Sequence, residues 1–326
     1  MTEPAIGVVA IGRNEGDRLM RCLKSVTGAG RVVVYVDSNS TDGSAERASE
    51  LGAVVVSLDL AQPFTAARAR NAGFHGLLER LPQAKYVQFV DGDCEVVAAW
   101  IPAALAFLEA RPDVAVACGR RRERHPEASV YNLLCDMEWD SPVGEAKACG
   151  GDALMRVAAL RQAGGYRDSL IAGEEPELCV RLRAAGWKVW RLPEEMTLHD
   201  AAMTRFSQWW KRSMRGGYAF AEGMSLHGAP PERHWVRESR SIVIWGILLP
   251  AATALSWAAW GVPGLALLLI YPAQIFRIFR AEVGSLRTRA VRAVSLVLGK
   301  FPEGAGLLKF LLHRMTGSQA RLIEYK

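Results

Sequence analysis

No two of the six cysteines, Cys22, Cys94, Cys118, Cys135, Cys149 and Cys179, stand in a CxxC pair. A zinc site or a disulfide framework is therefore not expected, and buried thiols in a reducing compartment are the simpler reading. The opening stretch MTEPAIGVVAIGRNEGDR has no basic flank followed by a long apolar run, so no secretory signal is expected and the large domain should stay in the cytoplasm. Nor does IGRNEG, at Ile11–Gly16 after the first apolar run, supply the GxGxxG turn of a dinucleotide-dependent oxidoreductase. The Gly-rich, Lys-containing first loop that a sugar-nucleotide pyrophosphorylase would need is missing too. The longest absence is of charge: none occurs from Ser241 to Phe276.

What is present begins with that apolar stretch. Half of the 326 residues are hydrophobic and mean hydropathy is slightly positive, which points to a lipid-facing segment as well as a well-buried core. Ser241–Trp260, at about 1.5 Å per residue, is long enough to cross a hydrocarbon core of about 30 Å. Gly261, Pro263 and Gly264 break it, and Leu265–Phe279 returns. Arg233, Arg237 and Arg240 precede the segment and Arg277 and Arg280 follow it, so both ends should face the cytoplasm. Residues 241–280 thus read as a helical hairpin, transmembrane or re-entrant.

The net charge of +6 is concentrated behind it: ten Lys/Arg stand against three acids from Arg277 onward. A basic tail after an apolar hairpin suits the anionic face of a membrane rather than nucleic acid. Within residues 281–326, Leu286–Leu298 and Leu307–Leu312 mix apolar residues with Arg287, Arg289, Arg292, Lys309 and Arg314, as interfacial amphipathic helices do. A soluble helical bundle is the alternative. Pro230 and Pro231 mark residues 229–240 as a linker, leaving 1–228 as one domain.

That domain opens with apolar, β-branched runs, Ile6–Ile11, Arg31–Val36, Ala53–Leu58 and Tyr86–Val90, continuous as in parallel strands covered on both faces. Helical stretches Asp17–Val26, Gly43–Leu51 and Thr65–Leu81 separate them, predicting a doubly wound, mostly parallel α/β sheet with its chemistry in loops at the carboxyl ends of the strands. After Val114–Cys118 the pattern is less regular until a second unit, helix Pro176–Ala185 and strand Trp187–Leu192.

Four clusters fall where such a site should be. DSNSTDG, Asp37 to Gly43, offers an acid for a base N–H and small residues for a close turn, although Asp42 serves equally as a helix cap. VDGDC places Asp91 and Asp93 at a strand end, where paired carboxylates repel unless a hard cation, Mg²⁺ or Mn²⁺, joins them. GEEPELCVRLR sets Glu174 and Glu175 ahead of a helix begun by Pro176, as caps or as a base for an acceptor hydroxyl. LHDAAMTRFSQWWKRSMRGG supplies His199 as a metal ligand, Arg212 and Arg215 for phosphate, and Trp209 and Trp210 as platforms for a sugar. A structural His, surface cations and core aromatics are the simpler alternatives for that last cluster.

In order, these clusters resemble the family 2 glycosyltransferases of GT-A fold, over roughly residues 5–225. VVAIGRNEGDRLMRCLKS is similar to the family's opening strand and its Asn14–Glu15 turn; DSNSTDG, with Ser38, to its nucleotide-base motif; and ARARNAGF to its Arg70–Asn71 stretch. VDGDC is similar to its Asp-X-Asp metal motif, and the block from Gly150 and Gly151 through Glu174 and Glu175 to its acceptor side. The resemblance implies an inverting transferase using a nucleotide-sugar, commonly a uridine diphosphate sugar, with Mn²⁺ or Mg²⁺. It assigns Asp37 to the base, Asp91 and Asp93 to ribose, diphosphate and metal, and Glu175 to the catalytic base where Asp is commoner. QWWKRS from Gln208 departs from the Gln-X-X-Arg-Trp of processive synthases, so single-sugar transfer to a lipid-linked or membrane acceptor, as in envelope or exopolysaccharide assembly, is the expectation. A non-catalytic membrane partner with a degenerate transferase domain is the rival.

Overall fold

The computed structural model describes residues 5–28, 30–59, 61–318 and 323–324; the end of the basic tail, 319–322 and 325–326, lies outside the described residues. Two compact units result: Met1–Ala128 with Cys135–Ala202, and Ser129–Leu134 with Met203–Lys326.

The first unit opens with strand–helix repeats. These are β1 (Ile6–Gly12), α1 (Asp17–Val26), β2 (Val32–Asp37), α2 (Ser44–Glu50), β3 (Val54–Ser57), α3 (Ala66–Arg80) and β4 (Tyr86–Asp91). There follow β5 (Cys94–Val96), α4 (Trp100–Ala110), β6 (Val114–Glu123), α5 (Val130–Glu138, whose residues up to Leu134 belong to the second unit) and β7 (Gly144–Ala146). The unit ends with β8 (Ala153–Arg156), α6 (Val157–Ala163), α7 (Glu174–Ala184) and β9 (Lys188–His199).

One sheet of order β3-β2-β1-β4-β8-β6-β9-β5, with β7 on β9, joins them. Its first four strands are parallel, as their continuous apolar sequences require: Val8, Val9, Val34 and Phe89 are fully buried. The other half is mixed. β8 runs antiparallel to both β4 and β6, β6 and β9 are parallel, and β5 and β7 are antiparallel to β9. The sheet is therefore less parallel than expected, and the change begins where the strand–helix repeat fades in the sequence.

Two features position the site. Register aligns Gly12 with Asp37 and Ile11 with Asp91, so β1, β2 and β4 end side by side. And α3 lies close on the sheet at Gly73, where a Cβ would come 2.4 Å from Val9 Cγ1. That approach sets the amino-terminal half of α3 beside the strand ends.

In the second unit, α8 (Phe206–His227) packs against the helix Lys300–Thr316 almost backbone to backbone. A Cβ on Gly217 would meet Glu303 O at 2.0 Å, and one on Gly306 would meet Met214 O at 1.9 Å. This contact makes α8 part of the carboxy-terminal unit, so the compact units divide after Ala202 and not at the proline-rich stretch near residue 228. It also turns the expected short piece Leu307–Leu312 into one long helix with Gly304, Leu307 and Phe310 buried.

Val236–Trp260 and Val262–Ala281 are each long and apolar enough to cross a membrane, and few of their residues are buried. The first takes in Arg237 and Arg240, and a π-helical stretch, Val243–Leu248, interrupts it; the second starts as 3-10 helix at Val262–Leu269. Leu286–Leu298 forms a further helix, capped by the Ser285 hydroxyl on Thr288 N.

Candidate active site

The site is built at the carboxyl ends of β1, β2 and β4, beginning with one arginine. Arg70, on the second turn of α3, is 2% exposed and reaches three carboxylates. Its guanidinium lies 2.8 Å from Asp91 Oδ1, 2.7 Å from Glu174 Oε1 and 2.9 Å from Glu175 Oε1. Arg121 Nη2 takes the other oxygen of Asp91 at 3.1 Å, and the two guanidinium groups hold the Asp91 carboxyl low against the effect of its burial. Gly151 lies against this pair: a Cβ there would come 2.5 Å from Arg70 Nη2 and 2.7 Å from Asp91 Oδ2. A Cβ on Gly150 would meet nothing within 4 Å.

Glu174 and Glu175 occupy the first turn of α7, whose amino terminus is set by Gly173 in the left-handed region at φ 79°. The helix thus starts two residues before Pro176. Glu174 is buried against Arg70, whereas the side chain of Glu175 stays 12% exposed. Burial, and then the adjacent Glu174 charge, push the Glu175 carboxyl up to about 7, and Arg70 only partly opposes them. Glu177 turns away to Arg181 and Arg167, as a helix-supporting residue does.

Asp93 faces a different partner. β5 runs antiparallel to β9 with Cys94 opposite His199, which brings His199 Nε2 to 3.3 Å from Asp93 Oδ2. His199 therefore closes β9, a strand longer than the sequence pattern indicated. A carboxylate oxygen and an imidazole nitrogen, both buried at that spacing, suit a proton or a divalent cation between them. Asp93, Cys94 and His199 offer donor atoms within 4.8 Å of one another. Burial raises the Cys94 thiol well above its ordinary range, so Asp93 and His199 are the pair that fits a hard ion.

On the base side, Asp37 is buried, accepting from Tyr35 Oη at 3.0 Å and from Ser40 N at 2.9 Å. Ser38 is buried beside it, its N–H on Gly12 O. Asn14, left-handed at φ 54°, binds this turn by donating its N–H to Ser40 Oγ and accepting from Thr41 N. Glu15 pairs with Arg18 at 2.8 Å. Asp42 accepts from Ser44 N and Gly16 N, the capping role left open in the sequence.

Some expected site residues are engaged elsewhere. Asn71 spends its whole amide on the loop after α6: Nδ2 donates to Tyr166 O and Asp168 Oδ1, and Oδ1 accepts from Tyr166 N. It holds that loop and has no hydrogen left for a donor. Trp209 is 7% exposed in the second unit, between the rings of Tyr131 and Phe206, which makes it a core aromatic; Trp210 packs on Phe206. Arg212 and Arg215 also lie on α8, in the second unit.

Two buried residues, Asp152 and Glu123, and the partly buried Arg121, none of them singled out from the sequence, complete the first unit's cluster. Asp152 accepts from Asp91 N at 2.9 Å and Thr197 Oγ1 at 2.7 Å. Arg121 bridges Asp91 and Asp152 and lies over the Trp139 ring. Glu123 receives His199 Nδ1 at 3.1 Å. Asp152, directly after Gly150–Gly151, had a signal in its position; Arg121 and Glu123 had only an ordinary run of charges.

Residues 8–142 match the model of "Glycosyl transferase family 2". No curated protein matches the sequence. Among solved structures, the mannosyltransferase PcManGT from Pyrobaculum calidifontis, in complex with GDP-Man and Mn²⁺, is similar at TM-score 0.66 and 18% identity, over 94% of this chain and 87% of its own. S. aureus TarS is similar at TM-score 0.52 and 13% identity, over 92% of each chain. Glucosyl-3-phosphoglycerate synthase from Mycobacterium tuberculosis, in complex with Mn²⁺ and UDP-glucose, is similar at TM-score 0.50 and 18% identity, over 70% of this chain and 80% of its own. The sequence match over residues 8–142 spans Asp37, Asp91 and Asp93, and the similar structures share the GT-A fold seen here.

Proposed function

We propose that the protein transfers one sugar from a nucleotide-sugar to a hydroxyl of a lipid-linked or membrane-associated acceptor, with inversion, in envelope or exopolysaccharide assembly. The observation that carries the reading is Glu175: a partly exposed carboxyl raised to about 7, sharing one arginine with Asp91 two residues from Asp93. A general base is most effective with its pKa near the working pH. The acceptor oxygen attacks the anomeric carbon in line, its proton passes to the Glu175 carboxylate, and the bond to the diphosphate breaks. Asp93 and His199, with Asp91 beside them, would hold Mn²⁺ or Mg²⁺, which when bound neutralises the departing diphosphate. Asp37 would accept from the base. The Mn²⁺ and nucleotide-sugars in the similar structures support this donor class, and their different bases, GDP and UDP, keep both in the test.

Membrane attachment is inferred from the second unit. Leu255, Trp257, Trp260 and Val262 are 72%, 56%, 70% and 77% exposed around the turn between the two apolar helices, an arrangement stable in lipid. Arginines flanking both ends favour a cytoplasmic catalytic unit. Full-length protein incubated with nucleotide-sugars, Mn²⁺ and bacterial lipid extract should add one sugar to a lipid, read as a single mass increment. A ladder of increments would favour a processive synthase. Equal transfer to water-soluble sugars would remove the lipid acceptor from the reading.

A further inference from the structure

Glu123 has no part in the reaction so far, yet it is among the most enclosed charged groups of the first unit, its side chain 0% exposed. Parallel pairing of β6 and β9 sets it opposite His199, and Arg124 N donates to His199 O at 2.7 Å. Register shifts around Arg120 precede this point, and such irregularities re-aim side chains beside active sites. Glu123 Oε2 accepts from Ala201 N at 3.1 Å, and Oε1 lies 3.3 Å from His125 N. The carboxylate is thus fixed by backbone before the imidazole is considered.

His199 Nδ1 stands 3.1 Å from Glu123 Oε2. A lone pair on Nδ1 would oppose an acceptor at that distance, so Nδ1 carries the hydrogen. Nε2, on the far side of the ring, faces Asp93 Oδ2 at 3.3 Å, and its lone pair is available there once a cation replaces a proton between the two. The ring plane is held as well: Trp139 meets it edge-on at 4.5 Å between centroids.

We propose that Glu123 is a positioning residue, fixing the tautomer and direction of His199 so that Nε2 and Asp93 together receive the divalent ion. This rests on the metal reading above. Partners that orient a ligating histidine in this way typically alter metal affinity by about 10–100-fold when replaced.

The test is Mn²⁺ affinity of the full-length protein in detergent, read as free Mn²⁺ by electron paramagnetic resonance. Glu123→Gln should weaken binding about 10–100-fold and raise by the same factor the Mn²⁺ needed for half-maximal nucleotide release. At saturating Mn²⁺, turnover should return to within a few-fold of the parent, which damage to the fold would not permit. Unchanged Mn²⁺ affinity in Glu123→Gln, with His199→Ala weakened, overturns the proposal alone. Unchanged affinity in His199→Ala and Asp93→Ala as well would overturn the metal reading beneath it. Should Glu123→Gln fail to fold, ¹⁵N spectra of the histidine-labelled parent with Mg²⁺ decide: a protonated Nδ1 on His199 is expected, and a protonated Nε2 overturns the proposal.

Discussion

The two units depart from the ordinary soluble pattern in opposite directions. In the first, charge is buried: Arg70, Asp93, Glu123, Asp152, Glu174 and His199 are all less than a tenth exposed. In the second, apolar surface is exposed along two long helices. Burying charged groups costs several kcal/mol per ion, so such a cluster is weak evidence for stability and better evidence for a site. Exposed apolar helices are equally uneconomical in water, which is why a lipid setting is proposed for them. In the proposed function, chemistry belongs to the first unit and membrane attachment to the second.

Substitutions in either unit test that contrast. Glu175→Gln should lower turnover by about 10²–10⁴-fold while donor affinity stays within about two-fold. The same loss from Glu174→Gln alone would reverse the roles of the pair. Arg70→Met leaves Asp91, Glu174 and Glu175 without their shared cation, and chemical denaturation should show a stability loss of about 3–5 kcal/mol. An unchanged midpoint would mean that the three carboxyls take up protons at no cost. In the other unit, Leu255→Glu should reduce the membrane-bound fraction on flotation, since an acidic residue within a spanning segment costs up to about 2.5–3.5 kcal/mol. No change would place that surface outside lipid. The smallest effect concerns pH. A Glu175 that serves as the proposed base would act ionised, so turnover should rise through about 7 to a plateau, and Glu174→Gln, by removing the like charge, should move that midpoint to lower pH. A flat profile between pH 5 and 9 would remove Glu175 as the base.

The parallel half of the sheet was legible because its strands announce themselves: IGVVAI and YVQFV are buried on both faces, and the second runs straight into Asp91. The antiparallel β8, only four residues long, has no such signature, since its place between β4 and β6 depends on partners distant in sequence. Glu174 and Glu175 were legible as an acidic pair, but Pro176 suggested a later helix start than the left-handed Gly173 permits. Asn71 had the right motif and a different occupation, because the loop that takes its amide lies some 95 residues on. Arg121 and Glu123 belong to a charge run that looks solvated, and only the register shifts between β6 and β9 turn them inward. The assignment of α8 to the second unit rests on glycines whose partner backbone no local pattern names.

A metal-assisted transferase acting through Asp93 must release nucleotide only when the metal and that carboxylate are present. Full-length protein would be given UDP-, GDP- and dTDP-sugars with lipid extract, in Mn²⁺ or in EDTA, beside Asp93→Ala. Release from one donor is expected, abolished by EDTA and by the substitution in a protein that remains folded. Release undiminished in EDTA and in Asp93→Ala would contradict it.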